Sequence, residues 1–333
     1  MKKFSISLIL VMLTSVLSIA NTDDKALKYK QDGTFKIVQF ADMHWQKCDA
    51  NDMETSKLME EILDIEKPDL VVLTGDNICG GGCTDCKKPI LGYSKPMVDR
   101  KIPWAVAFGN HDDEGPMSRK EQMKLFQTTP FCLAKAGPED IDGVSNYYLN
   151  IYGSKGDKAK NTLYFIDSLS YAPEKIGGYA WITRKQINWY VETAAKIEKQ
   201  NGQKLPALAF FHIPIPEYEQ AFDANSLGGK NEKVCCPVIN SGFFAAMLEV
   251  GDIVGVFVGH DHTNDYESTL NGIRLCYGRG SGYHTFYNSG FQIGAKVIVL
   301  TEDKKDFQTW ARVRNGQKID YLKEKQAPKQ SDN

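Results

Sequence analysis

The sequence predicts an α/β layer fold, in which helices cover a core of β-strands. Short runs rich in β-branched and aromatic residues alternate with segments of helical periodicity along most of the 333 residues. Several of these runs are apolar throughout, which is typical of strands that are covered on both faces. Loops rich in glycine and lysine occur, but none resembles an interdomain linker in length or composition. We therefore expect one domain.

Nine short, apolar segments are predicted as strands. In chain order they are Phe35–Phe40, Leu70–Leu73, Trp104–Phe108, Leu163–Ile166, Ala207–Phe211, Ile253–Val258, Ile273–Tyr277, Ala295–Leu300 and Phe307–Val313. Three helices are predicted between strands from capping signals and helical spacing. The first covers about residues 56–66 and ends before Pro68, the second begins at Ser118, and the third runs from Thr183 to Gly202.

The two ends of the chain differ from the rest in composition. Lys2 and Lys3 precede an apolar run that ends at Leu17, and the small residues Ser18 and Ala20 follow, two positions apart. This pattern predicts a signal peptide over residues 1–20, and hence a secreted or periplasmic protein. Residues 314–333 are expected to form a polar C-terminal tail.

The charge balance excludes one class of function. The chain has 40 Lys+Arg and 42 Asp+Glu residues, for a net charge of -2. No basic field is therefore available to attract nucleic acid, and we expect no nucleic-acid-binding surface. No stretch after the predicted signal peptide is long and apolar enough to span a membrane.

The eight cysteines all follow the predicted signal peptide. They are Cys48, Cys79, Cys83, Cys86, Cys132, Cys235, Cys236 and Cys276. An even number in an exported chain favours disulfide bonds of unassigned connectivity. The close spacing of Cys79, Cys83 and Cys86 leaves a zinc site as an alternative, although no second Cys/His pair has matching spacing.

Five short polar segments each follow a predicted strand directly. They are Asp42-Met43-His44, Gly75-Asp76-Asn77, Gly109-Asn110-His111-Asp112, His212, and Gly259-His260-Asp261-His262. Loops that leave the carboxyl ends of strands converge on one crevice in open α/β sheets. Five of the six histidines of the chain lie in these segments. We therefore expect the segments to form one site.

The side chains of these segments are typical metal ligands. Carboxylate, imidazole and amide donors without a thiolate favour Zn, Mn or Fe, as divalent or mixed-valence ions. The carboxylate of Asp76 has two oxygens and can bridge two ions. Two ions about 3.5–4 Å apart can hold the attacking and leaving oxygens of a phosphoryl group in line. The sequence thus predicts a dinuclear metal centre.

The order of these five segments resembles the calcineurin-like metallophosphoesterases over about residues 34–313, which we take as the domain. Further passages, such as Leu73-Thr74-Gly75-Asp76-Asn77-Ile78 and Phe211-His212-Ile213-Pro214, resemble a purple-acid-phosphatase-like branch. The resemblance implies two packed β-sheets flanked by helices. It implies that one ion is held by Asp42, His44, Asp76 and His262. It implies that the second is held by Asp76, Asn110, His212 and His260.

The resemblance also implies that His111 faces the phosphate and helps the leaving group to depart. Asp112 or Asp113 is expected to orient His111. Purple acid phosphatases have a tyrosinate ligand where this chain has Cys79, and they lack the histidine present here as His44. Their second acid histidine is also missing. We consider His284 a candidate substitute, with an ordinary loop histidine as the alternative.

The resemblance therefore implies a metal-dependent phosphoric ester hydrolase, and the predicted signal peptide implies that it is exported. We expect direct attack of a metal-bound hydroxide on phosphomonoesters, or otherwise on phosphodiesters. The alternative is a catalytically silent metal-binding protein of the same fold. A metalloprotease is disfavoured because the sequence has no His-Glu-x-x-His motif.

Overall fold

The computed structural model describes residues 27–285 and 290–322. The predicted signal peptide lies outside the described residues, and so does the part of the predicted tail after residue 322. Among the described helices, none has the length and apolar character needed to cross a membrane.

Strands and helices alternate along the described chain. The strands are β1 (Leu27–Lys28), β2 (Thr34–Phe40), β3 (Leu70–Thr74), β4 (Trp104–Ala107), β5 (Tyr147–Tyr152), β6 (Ala159–Phe165), β7 (Ala207–Phe210), β8 (Ile253–Val258), β9 (Glu267–Leu270), β10 (Ile273–Tyr277), β11 (Gly294–Thr301), β12 (Phe307–Val313) and β13 (Lys318–Ile319). The α-helices are α1 (Ala50–Glu66), α2 (Lys87–Asp99), α3 (Arg119–Thr128), α4 (Arg184–Asn201), α5 (Glu217–Ala221) and α6 (Phe243–Val250). All nine predicted strands are present.

The strands form two mixed sheets, which confirms the predicted α/β fold of two sheets flanked by helices. The first sheet has the order β1-β5-β6-β7-β8-β10-β9, and the second has the order β13-β12-β11-β2-β3-β4. In the first, β6, β7, β8 and β10 are parallel. In the second, β2, β3 and β4 are parallel. The strand β13 lies within the predicted polar tail and pairs with β12.

An aromatic core joins the two sheets. Tyr147, Phe165, Phe210 and Phe257 form a continuous stack across β5, β6, β7 and β8, with ring centroids 4.6, 5.4 and 5.3 Å apart. Phe307 of β12 then contacts Phe257 from the other sheet at 5.4 Å. Large buried aromatic side chains contribute strongly to core stability. This core fixes the position of one sheet against the other.

Capping explains where the helices begin. Capping boxes are present at Ser118 for α3 and at Thr183 for α4, as predicted. The helix α1 begins six residues earlier than predicted, because the side chain of Asp49 accepts the backbone N–H groups of Asn51 and Asp52. The helix α2 was not predicted, since Pro96 lies inside it and weakens the helical signal.

Candidate metal centre

The five polar segments meet where the parallel strands of both sheets end. Segments that follow β2, β3 and β4 come from one sheet, and segments that follow β7 and β8 come from the other. The contact between the sheets is direct, because the His212 Nε2 atom lies 3.1 Å from an oxygen of Asp76. The structure thus brings the predicted side chains together.

The first donor group surrounds the carboxylates of Asp42 and Asp76, which are each 1% exposed. Asp42, His44, Asp76 and His262 offer ligand atoms that all lie within 4.8 Å of one another. The His44 Nε2 atom is 3.4 Å from an oxygen of Asp76, and the His262 Nε2 atom is 3.8 Å from an oxygen of Asp42. The structure thus brings together the four residues predicted to hold the first ion, and their role as ligands stays a prediction.

The second donor group shares Asp76 with the first. Asp76, His212 and His260 offer ligand atoms within 4.8 Å of one another. The His212 Nδ1–H group donates to the Thr74 carbonyl at 2.9 Å, and the Nε2 atom of His212 lies 3.1 Å from an oxygen of Asp76. Asn110 is buried beside this group, and the next backbone N–H, that of His111, donates to Asp76 at 2.9 Å.

Burial is the largest influence on the pKa values of these groups. It raises the pKa of Asp42 to about 8, against the opposing charge of His212. Burial also disfavours the charge of Asp76, yet contacts with His212 and His44 hold its pKa well below the usual range. Burial lowers the pKa of His262 to about 3, so this imidazole is neutral, as a metal ligand must be.

Burial would likewise lower the pKa of His212, but the adjacent charge of Asp76 raises that pKa to about 9. The raised pKa values favour protons on Asp42 and His212, and a cation would replace these protons. Metal binding at such a site releases protons and becomes stronger as the pH rises.

The backbone at the site is unusual in two respects. Asp42, His44, Asp76 and His260 all adopt positive φ angles of 54°, 48°, 47° and 79°, although none is glycine. Such conformations cost about 1–3 kcal/mol each and are concentrated at functional sites. Gly75 is required for close approach, since a Cβ atom there would lie 2.6 Å from the His212 ring. The chain thus accepts strain to direct these side chains inward.

Unpaired buried atoms indicate that the donor set fits metal ions. The Asn110 Oδ1 and His260 Nε2 atoms are buried and have no hydrogen-bond partner among the described residues. A buried polar atom without a partner costs about 1–3 kcal/mol, and a bound ion would supply the missing partner of both atoms. Oxygen and imidazole donors around a shared carboxylate are suited to two ions such as Zn, Mn or Fe.

The His111 side chain lies at the border of the donor groups. Its ring centroid is 5.2 Å from that of His44, and its imidazole is 33% exposed. The His111 Nδ1 atom is 2.7 Å from Glu114 Oε2, so Glu114 is its orienting carboxylate. The sequence predicts that Asp112 or Asp113 orients His111, whereas in the structure Glu114 holds its imidazole. The i, i+3 spacing of His111 and Glu114 was the available sequence signal.

Asp112 instead joins two loops of the site. Its carboxylate accepts the backbone N–H groups of Ile78 and Gly109 at 2.9 and 2.7 Å, and the amide of Asn77 at 3.2 Å. Burial and then the charge of Asp76 raise the pKa of Asp112 to about 7. Its contacts hold the loop after β3 against the loop after β4.

His284 lies outside the two donor groups. Its Nε2 atom is 3.1 Å from Asp49 and 3.3 Å from Asp52, at the beginning of α1. Asp52 already accepts backbone N–H groups from this turn, including that of Lys47 at 3.1 Å. These contacts agree with the alternative of a loop histidine, and the catalytic role of His284 stays a prediction.

All eight cysteines are free thiols in the structure, so the disulfide bonds stay a prediction. Within the described residues, no group of three metal-binding side chains includes a cysteine. The structure therefore gives no support to the zinc alternative for Cys79, Cys83 and Cys86.

Arg119 fixes the loop that contains His111. It is 7% exposed, pairs with Asp167 and Asp113, and donates to the Gly109 carbonyl at 2.8 Å. Asp167 is fully buried, so loss of Arg119 leaves an unpaired buried charge. We expect Arg119→Met to lower the free energy of unfolding by about 3–5 kcal/mol, measured by urea denaturation.

The control for this prediction is Arg100→Met. Arg100 pairs with Asp64, whose carboxylate is 64% exposed, so its loss should cost at most about 1 kcal/mol. Equal effects of the two substitutions would contradict the structural role of Arg119.

Comparison with known proteins adds to this geometry. A family model described as calcineurin-like phosphoesterase matches residues 35–264. "Probable inactive purple acid phosphatase 29" of Arabidopsis thaliana is 35% identical over an alignment of 344 positions that covers 94% of this chain and 88% of that protein. "Phosphatase DCR2" of Saccharomyces cerevisiae is 34% identical over an alignment of 334 positions that covers 90% of this chain and 57% of that protein.

The fold is also similar to that of a solved structure. A dimetal phosphatase from Danio rerio has a TM-score of 0.57 and 14% sequence identity. The similarity covers 86% of this chain and 99% of that chain. Because the sequence identity is only 14%, this similarity is evidence for the fold alone.

Proposed function

This chain belongs to the calcineurin-like phosphoesterase family, and from that premise we propose that it is a two-metal phosphoesterase that hydrolyses phosphomonoesters. The main support is the convergence of two donor groups on the shared Asp76 carboxylate. The partly exposed imidazole of His111 beside these groups is a candidate proton donor. The name of the yeast relative, a phosphatase, supports monoesters over diesters as substrates.

Each residue has a distinct part in the proposed reaction. Two bound ions would supply an activated water and Lewis-acid stabilisation of the phosphoryl oxygens. Asp76 would hold both ions at a fixed separation, and the remaining donors of each group would complete the two coordination shells. His111, held at Nδ1 by Glu114, would direct Nε2 towards the substrate and donate a proton to the leaving oxygen.

A catalytically silent protein is the second candidate function. The Arabidopsis relative is named a probable inactive purple acid phosphatase, and its similarity covers nearly the whole of this chain. Such a protein would keep the buried donors because metal binding stabilises the folded state. The two candidates differ in turnover and agree in metal content.

The decisive experiment is a substrate panel on the purified protein. Phosphomonoesters and phosphodiesters, each with aryl and alkyl leaving groups, would be assayed after exchange into Zn, Mn and Fe. We expect monoester hydrolysis in at least one metal form. Two bound ions without hydrolysis of any ester would favour the silent protein.

The colour of the iron-loaded protein is a separate prediction. Cys79 stands where purple acid phosphatases have a tyrosinate ligand, and Tyr93 is buried against Trp45. We therefore expect no phenolate-to-iron charge-transfer band in the visible spectrum of a sample whose iron content is verified by elemental analysis. A purple band would mean that another tyrosine reaches the iron, and its loss in Tyr171→Phe would identify Tyr171.

We also propose that the protein is exported, on the basis of the charge and apolar pattern of residues 1–20. Expression in a host with a secretory pathway should yield a mature chain that begins near Asn21, determined by N-terminal sequencing. A mature chain that keeps Lys2 and Lys3 would contradict the export signal.

A further inference from the structure

A loop after β6 brings two tyrosines to the second donor group. Tyr171 and Tyr179 pair across this loop, and their rings stack with centroids 5.9 Å apart. The Tyr179 ring meets the His260 ring edge to face at 4.3 Å. The Tyr171 hydroxyl lies 3.4 Å from Asn110 Nδ2. The tyrosine pair therefore contacts two side chains that we assign to the same ion.

The chemistry of the partners decides the direction of the hydrogen bonds. The Tyr171 hydroxyl is also 3.0 Å from Glu114 Oε1, and an ionised carboxylate can only accept. Tyr171 must therefore donate its one proton to Glu114, and its oxygen accepts from the amide N–H of Asn110. This contact directs Nδ2 of Asn110 towards Tyr171 and leaves the buried Oδ1 for the ion.

Glu114 connects the same chain of bonds to His111. One carboxylate oxygen of Glu114 accepts from Tyr171, and the other lies 2.7 Å from His111 Nδ1. The side chains of two adjacent residues, Asn110 and His111, are thus oriented through one carboxylate and one phenol. Glu114 and Tyr171 are 57 positions apart in the sequence and lie on different loops.

We infer that Tyr171 is a positioning residue for the second metal site. Its hydroxyl, held by Glu114, keeps Asn110 in the orientation that presents Oδ1 to the ion. This inference rests on the two-ion site of the proposed function. Partners of this kind fix ligand orientation, and their loss typically costs about 10–100-fold in metal affinity.

Calorimetric titration of Zn²⁺ into the metal-free protein tests the inference without any assay of turnover. We expect two binding events in the wild-type chain. Tyr171→Phe keeps the ring and removes the hydroxyl, so one event should weaken by roughly 10–100-fold while the other is unchanged. Wild-type affinities at both sites, or equal weakening of both, would overturn the inference.

The matched control is Tyr164→Phe. The Tyr164 hydroxyl also donates to a carboxylate at 3.0 Å, that of Asp252, which precedes β8 and so lies at the opposite end of this strand from His260. This variant should bind both ions as the wild type does. A matching loss of one site in Tyr164→Phe would show that the effect comes from general destabilisation, and would overturn the role of Tyr171.

A double-mutant cycle tests the chain through Glu114. Glu114→Ala removes the acceptor that orients the Tyr171 hydroxyl, so it should weaken the same site as Tyr171→Phe. Because the two residues act in series, the double variant should bind Zn²⁺ at this site with the same affinity as the single variant that has the larger loss. Affinity losses that multiply in the double variant would contradict this series of hydrogen bonds from Asn110 through Tyr171 to Glu114.

These outcomes separate the inference from the proposed function. If the wild type binds two ions and hydrolyses no ester, the proposed function fails, and selective weakening of one site would still uphold the role of Tyr171. If the wild type hydrolyses esters and Tyr171→Phe binds both ions normally, only the inference fails. A wild-type chain that binds fewer than two ions would overturn both.

Discussion

Asp76→Asn should reduce the metal content from two ions per chain to near zero. Asp76 belongs to both donor groups and lies within 3.1 Å of His212 and 3.4 Å of His44. An asparagine offers one neutral oxygen in place of two anionic ones, so both coordination shells lose charge and at least one loses a ligand. Substitution of a residue that only orients a metal ligand typically costs about 10–100-fold, and the loss of hydrolysis in Asp76→Asn should be larger.

Elemental analysis after gel filtration measures this loss directly. Asp252→Asn is the control, because it makes the same exchange in a buried carboxylate that contacts Tyr164 and Tyr190 instead of the donor groups. It should keep two ions. If Asp76→Asn retained two ions and normal turnover, the dinuclear assignment would be wrong.

The meeting of the five polar segments at the strand ends could be predicted from the sequence for a physical reason. Parallel strands place their carboxyl ends at one edge, so polar residues after apolar runs, such as Asp42 and His212, predict a shared location. The order of the five polar segments along the chain then resembles that of a known family. The seven predicted ligands lie on five segments from both sheets, yet each segment is short and contiguous in the sequence.

The contacts of Tyr171 and Tyr179 with the site could not be predicted from the sequence in the same way. Tyr171 and Tyr179 lie on an irregular loop with no periodicity, and Tyr171 reaches Asn110 across 61 residues of sequence. Only the tertiary arrangement of the loops after β4 and β6 brings them together. The early beginning of α1 had a local cause, since an Asp49–Asp52 capping box is less typical than a Ser/Thr–Glu one.

His111→Ala should slow hydrolysis by about 10²–10⁴-fold while both ions stay bound. The His111 backbone N–H donates to Asp76, but its side chain is absent from both donor groups. Glu114 holds Nδ1, so the other ring nitrogen is available to protonate a leaving oxygen. Removal of the imidazole therefore takes away a proton donor and leaves the backbone contact intact.

The leaving group distinguishes proton donation from phosphate positioning. A nitrophenolate departs without protonation, whereas an alkoxide needs a proton, so the rate loss in His111→Ala should be small for nitrophenyl phosphate and large for alkyl phosphates. Metal content and the urea midpoint should match those of the wild type. Equal losses on both substrates would indicate that His111 positions the phosphate. Unchanged rates on both would remove His111 from the mechanism and make His284→Ala the next variant to assay.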